Sequence, residues 1–266
     1  LAYADAHSPV LLVARSTRSR AEAAHAAASP RLPANPELSI ALGPRIGSNG
    51  IALDVDISFM QRIQISGERG RRVDAAERLA DLTDADIEQI RWEVHCEVHA
   101  AFHRTLVERE RARLAARVVA FQQDVLRVVE RQIAAGETAP LSLRLAEAEV
   151  AQANQILVAT EQAFLASRIR LGLLAGWPAT RPPEPSGDVD IPRDPPAHDA
   201  LVAAAREHLP RLRVGAAAVL EAEARVAAAT RARVPQPSIG IQYQRESNPA
   251  PDTPYHVVMG VISMPI

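Results

Sequence analysis

The chain has 266 residues; 32 are acidic and 30 basic, every basic one an arginine, so the formal net charge is -2 and no basic face for nucleic acid is forced. Its single cysteine, Cys96, excludes an intrachain disulfide and any multi-cysteine metal cage. Alanine is the commonest residue while aromatics reach only 3%, a composition suited to helices packed closely in elongated coils and unlike that of an ordinary globular enzyme.

A helical pattern opens at Pro9, with Val10, Leu11 and Ala14, continues through the alanine-rich run 21–28, and stops at Ser29, Pro30 and Pro33. The period then becomes two. Leu38, Ile40 and Leu42, and again Ile51, Leu53, Val55, Ile57 and Phe59, alternate with Ser39, Asp54, Asp56 and Ser58, which predicts two strands joined by a turn over 43–50. From 69 to 134 there is no proline and no glycine beyond Gly70, and Ile87, Ile90, Val94, Val98, Ala101, Val118, Val125, Val129 and Ile133 recur at helical spacing. One helix of that length spans about 100 Å, which requires a coiled-coil or bundle element.

Ala135, Gly136, Glu137, Thr138, Ala139 and Pro140 interrupt the pattern, and a second helix returns over 141–174 to end at Gly176, Trp177 and Pro178. The two form a long antiparallel hairpin with a short tip. The proline-rich stretch 179–196 is predicted as an extended linker. A helix is expected over 198–233 and strands over 238–244 and 255–264, separated by a Ser-Asn-Pro-Ala-Pro-Asp-Thr-Pro turn. No run approaches about 18 consecutive apolar residues, so no helical membrane span is predicted, and no charged-then-apolar leader opens the chain.

An internal repeat orders these elements. Pro9 pairs with Pro210, and Asn35-Pro36-Glu37-Leu38-Ser39-Ile40 with Gln236-Pro237-Ser238-Ile239-Gly240-Ile241, at one common offset. The division is a first unit over 1–196, with helix, two strands, long hairpin and linker, and the first half of a second over 197–266. A further long helix is expected to follow, so we read the sequence as a fragment of a longer chain. The predicted fold is mainly α with β: a long antiparallel helical hairpin plus strand pairs, in a tandem repeat whose second copy is truncated.

Strands of about ten residues with one apolar and one acidic face fit either a sheet covering a soluble core or a closed barrel with lipid outside and water within. Long helices offer no broad surface for such a sheet to cover, which favours the barrel; four strands cannot close one alone, so an oligomer must.

The chain resembles the TolC-like outer-membrane efflux family. The resemblance rests on Asn35-Pro36-Glu37-Leu38 at the first strand, Phe59-Met60-Gln61-Arg62-Ile63 with Gly67-Glu68-Arg69-Gly70-Arg71-Arg72 at the strand-to-helix junction, Ala135-Gly136-Glu137-Thr138 with Leu143, Ala146, Glu147 and Ala153 around the tip, and Leu173-Leu174-Ala175-Gly176 closing the return helix. Asn-Pro-Glu-Leu and the Gly-Glu-Arg-Gly-x-Arg junction look most like its heavy-metal efflux branch. The resemblance implies a homotrimer whose strands share one transmembrane barrel in the outer membrane of a Gram-negative bacterium, with a periplasmic helical tunnel. It also implies passive conduction without catalysis, and as partners a periplasmic adaptor, an inner-membrane pump and outer-membrane lipid. On that reading Asp54, Asp56 and Ser58 line the pore, and Ala135, Gly136, Glu137, Thr138 and Leu141 form the adaptor-docking tip. The rival readings are a periplasmic adaptor and a soluble coiled-coil interaction protein.

His95, His99 and His103, at i, i+4 and i+8 beside Cys96, Glu93 and Glu97, have spacing that can bind zinc or copper. One helix supplies at most two good ligands, however, and a polar stripe on a long helix simply tolerates histidine, so no metal site and no cofactor is assigned. Neither a nucleophile elbow nor a phosphate-binding glycine loop is present, and Ser142 and Asp124 have no sequence partners for catalysis. Arg69, Arg71 and Arg72, diluted by Glu68, Asp74 and Glu77, suit a membrane-to-periplasm junction better than nucleic acid. Trp177 is either a packing anchor or an interfacial ring.

Overall fold

The computed structural model describes residues 1–47, 50–178, 180–189, 194–246 and 254–265. In chain order they form α1 (Ala2–His7), α2 (Pro9–Ala28), β1 (Glu37–Gly47), β2 (Gly50–Arg62), α3 (Glu68–Ala134), α4 (Pro140–Ala175), α5 (His198–His208), α6 (Pro210–Ala232), β3 (Ser238–Glu246) and β4 (Tyr255–Ser263). The order helix, helix, strand, strand therefore occurs twice. The centre of the linker and most of the turn before β4 lie outside the described residues.

Both copies begin with a broken helix where continuous or absent helix was expected. Ser8 and Leu209 precede Pro9 and Pro210 and leave helical geometry, with φ/ψ of -59/124 and -72/115. A proline ring crowds the residue before it and disfavours the α conformation there. Each proline then serves as the first residue of the next helix, where its missing N–H costs nothing. The helix expected over 198–233 is thus two helices, and α1 precedes the first expected helix, which opens at Pro9.

Two compact units divide the chain: one comprises Leu1–Ser16 with Asp86–Arg211, the other Thr17–Ala85 with Leu212–Ile266. In the first, Ala4, Leu11, Val94, Val98, Ala101, Leu171 and Ala175 form the buried core, edged by Tyr3, Ile90, Phe102 and Leu174. Val94, Val98, Ala101 and Thr105 are all buried and follow spacings of four, three and four, the seam of a coiled coil. Thr105 is fully buried, and its Oγ1 lies 2.7 Å from the Ala101 carbonyl and 3.3 Å from that of Ser167 on α4. Farther along α3 the buried positions are Ala115 and Val119, whereas Val118 is 41% exposed, so the expected stripe shifts by one residue at this point; Val125, Val129 and Ile133 are half-buried as expected. Small side chains fill these positions because close helix approach leaves no room for larger ones.

Segment 180–189 is strapped to the same unit by arginine. Arg168 Nε and Nη2 donate to the carbonyls of Pro183 and Pro182 at 2.9 and 3.0 Å, and Arg109 Nη1 donates to that of Pro185 at 3.0 Å. Prolines supply acceptors without donors, and guanidinium supplies donors without acceptors, so the match satisfies both.

The second unit holds one antiparallel sheet in the order β1-β2-β3-β4. Strand pairing runs through the stretch expected as a turn: Gly43 pairs with Asp54, Pro44 with Leu53, Arg45 with Ala52, Ile46 with Ile51 and Gly47 with Gly50. Pro44 is tolerated because β1 is an edge strand. At the junction into α3, Arg69 Nε donates to the Ser29 carbonyl at 2.9 Å and the Ile63 amide to that of Pro237 at 2.8 Å. Glu68, 8% exposed, accepts from Arg72 and from Gln236.

Candidate functional site

Residues directly opposed across an antiparallel pair point to one face. The register opposes Leu38 to Phe59, Ile40 to Ile57, Leu42 to Val55 and Ile46 to Ile51, then Phe59 to Ile241 and Ile57 to Tyr243, then Tyr243 to Val258 and Ile239 to Ile262. One face is therefore mainly aliphatic and aromatic, broken toward the hairpin end by Arg245 opposite Val55 and His256 opposite Arg245, and it is bare: Leu38 is 64% exposed, Ile51 73%, Val258 70% and Ile262 79%. A sheet on a soluble core would bury these residues, each of which gains about 1.5–3 kcal/mol on leaving water. An apolar field of this extent marks a surface made for a lipid or protein partner.

The opposite face carries Asp54, Asp56 and Ser58 of β2 together with Arg45 of β1 and Gln242, Gln244 and Glu246 of β3. Arg45 Nε and Nη2 donate to Asp54 at 2.8 and 2.9 Å, and Nη2 reaches Glu246 at 3.3 Å. Asp56 accepts from the side-chain amides of Gln242 at 2.6 Å and Gln244 at 2.8 Å. Arg45, Asp54, Asp56, Gln244 and Glu246 border an open hollow of about 410 Å³. Arg45, Gln242, Gln244 and Glu246 went unread in the sequence. Extending the alternation Leu38, Ile40, Leu42 to Ile46 would have exposed Arg45 as their opposite-face neighbour. The polarity stops at β4, where Tyr255, Val257, Met259 and Val261 lie on this same face.

At the other candidate region, α3 ends at Ala134 and α4 starts at Pro140. Gly136 adopts φ +76°, its amide donates to the Ile133 carbonyl and that of Glu137 to the Gln132 carbonyl, both at 2.9 Å. This paired capping closes the carbonyl end of α3. Thr138 Oγ1 lies 3.3 Å from Ser142 Oγ, and Ala135, Gly136, Glu137 and Leu141 are exposed. All five residues expected at the tip are brought together.

The imidazole stripe is not brought together as one group. His95 Nε2 lies 2.7 Å from Asp5 Oδ1 on α1, and Arg91 holds the same carboxylate with Nε and Nη2 at 3.0 and 3.1 Å. The Arg91 guanidinium first, then His95, holds the Asp5 carboxyl below the usual carboxylate range against the opposing effect of burial. His99 and His103 face each other with ring centroids 4.5 Å apart. Among the described residues, no group of three or more metal-ligating side chains converges. Trp177 is a packing anchor: its ring lies 4.4 Å from that of Tyr3, just past the α4 cap formed by Gly176. Arg71 and Arg72 pair with Asp74 and Glu68.

The sequence pattern of the family described as "Outer membrane efflux protein" matches residues 3–177. The cobalt-zinc-cadmium resistance protein CzcC of Cupriavidus metallidurans is 29% identical over 160 residues, covering 56% of this chain and 38% of CzcC. CusC, whose crystal structures concern folding and transmembrane channel formation, superposes with a TM-score of 0.72 at 15% identity over 100% of this chain and 64% of its own. The open state of the Neisseria gonorrhoeae MtrE outer membrane channel gives 0.66 at 16% identity over 99% and 62%. The chain thus has the fold of these channel proteins and spans less than two thirds of the length of each.

Proposed function

From the premise that the chain belongs to the outer membrane efflux protein family, we propose that it forms part of the exit duct of a tripartite efflux system. Its place is the outer membrane of a Gram-negative bacterium, with a periplasmic helical domain. Three copies share one barrel, because a sheet of four strands leaves β1 and β4 each with one free edge, and unpaired edges cannot stand in lipid. An inner-membrane pump drives transport through an adaptor that docks on the 135–141 tip, and the duct itself conducts passively. The helical hairpins open and close its inner end by rigid movement.

The observation that carries this reading is the two-faced sheet: bare aliphatic side chains on one side, and Asp54, Asp56, Arg45 and two glutamines on the other. Lipid accepts the first face and water the second. The cargo we assign is a divalent transition-metal cation, supported by the likeness to CzcC, a cobalt-zinc-cadmium resistance protein, and by the Asn35-Pro36-Glu37-Leu38 opening of the first strand. The test is metal tolerance and cell-associated metal in a strain lacking the full-length gene and one carrying it. The proposal predicts higher cobalt, zinc or cadmium retention without the gene; equal retention in both strains overturns the metal assignment.

A further inference from the structure

We propose that His99 and His103 form a weak two-imidazole contact for a divalent transition-metal ion on α3. The two residues are one helical turn apart, a spacing at which a pair of imidazoles converges on a single ion. Their rings already lie 4.5 Å apart at an interplanar angle of 58°, and neither ring is engaged in a hydrogen bond among the described residues. His95, the third imidazole of the stripe, is committed to Asp5, which leaves a pair. Phe102 packs on the buried core and meets His103 edge-on, with centroids 5.6 Å apart and planes at 85°, so the inner ring is held while His99 stands exposed.

Imidazole nitrogen suits zinc, cobalt, nickel and copper and is a poor ligand for calcium or magnesium. Two protein donors leave the remaining positions to water, so the ion exchanges readily; three or four would trap it. A labile contact of this kind fits the wall of a conduit, and in that sense the inference rests on the metal cargo proposed above. Ion binding itself does not depend on transport.

The experiment titrates the purified full chain with Co2+, read by its visible absorption, and with Zn2+, read by calorimetry. His99→Ala and His103→Ala should each weaken binding at least about tenfold, since even the loss of an outer-shell partner costs that much; His95→Ala and Cys96→Ser should leave it unchanged. Alanine favours helix at these positions, and far-ultraviolet circular dichroism verifies that the variants keep α3. Unaltered binding in both His99 and His103 variants, or binding that vanishes with Cys96 or His95, overturns the site. The strain comparison above reads the transport proposal separately: retention that depends on the gene with no histidine-dependent binding removes the site alone, and histidine-dependent binding without gene-dependent retention removes the cargo alone.

Discussion

Arg45 holds Asp54 in a two-pronged ion pair across the first hairpin, whereas Asp56, two residues along the same face, accepts among the described residues from the neutral amides of Gln242 and Gln244. The carboxylates expected to act alike in a pore are therefore unequal: one is matched by a cation and the other is not. Arg45→Gln should raise the preference of the assembled channel for cations, and Asp54→Asn should lower it, as read by the reversal potential in a salt gradient across a planar bilayer. The pair is half exposed, so neither change should alter stability by more than about 1 kcal/mol. Unchanged reversal potentials in both would take these residues off the pore wall.

The middle of β2 tests the other face. Ile57→Arg places a charge between Ile40 and Tyr243 and should oppose membrane insertion by about 2–4 kcal/mol near the bilayer midplane. Ser58→Arg, on the polar face, should insert normally. Outer-membrane fractionation of the two variants measures the difference, and equal yields would contradict the assignment of faces.

At the tip, Gly136→Pro cannot adopt φ +76° and removes the amide that caps Ile133. Export should be lost while trimers still form on gels run without boiling. Gly136→Asn, which tolerates the left-handed conformation, should retain most activity. Glu137→Arg keeps the capping backbone amide and changes only the exposed charge, so loss of export in that variant reads docking directly; normal export in both Gly136→Pro and Glu137→Arg would remove the tip from the adaptor interface.

The Asp5, Arg91 and His95 cluster joins α1 to α3 within one unit. Because Asp5 titrates lower in the folded chain than in the unfolded one, its stabilisation is fully present above the unfolded carboxylate value of about 3.9 and is lost as pH falls through the folded value. Asp5→Asn should lower thermal stability at neutral pH and flatten its decline on acidification. A parent and variant with parallel stability-pH curves would show that the cluster contributes nothing.

Much of this arrangement was legible because it is periodic. Alternation revealed β2 and the face on which Asp54, Asp56 and Ser58 lie, and the glycine at 136 between two long helical patterns located the tip. Pairings between distant segments were not legible. Nothing local to Asp5 announces Arg91 or His95, and nothing near Gln236 announces the buried Glu68. Glycine and proline usually break strands, so the 43–50 stretch reads as a turn in sequence and conceals Arg45; an edge strand accommodates both. On α3 the expected stripe departs at Val118, where the buried residue is Val119; adjacent valines give the pattern two equal choices there, while Val125, Val129 and Ile133 are half-buried as expected.

The most direct measurement is single-cysteine labelling along 51–59 in a Cys96→Ser full-length protein in native outer membranes. A water-soluble maleimide should modify positions 54, 56 and 58, and a quencher dissolved in lipid should dim probes at 51, 53, 55, 57 and 59. Labelling with the opposite phase, or quenching at none of the odd positions, would contradict the account.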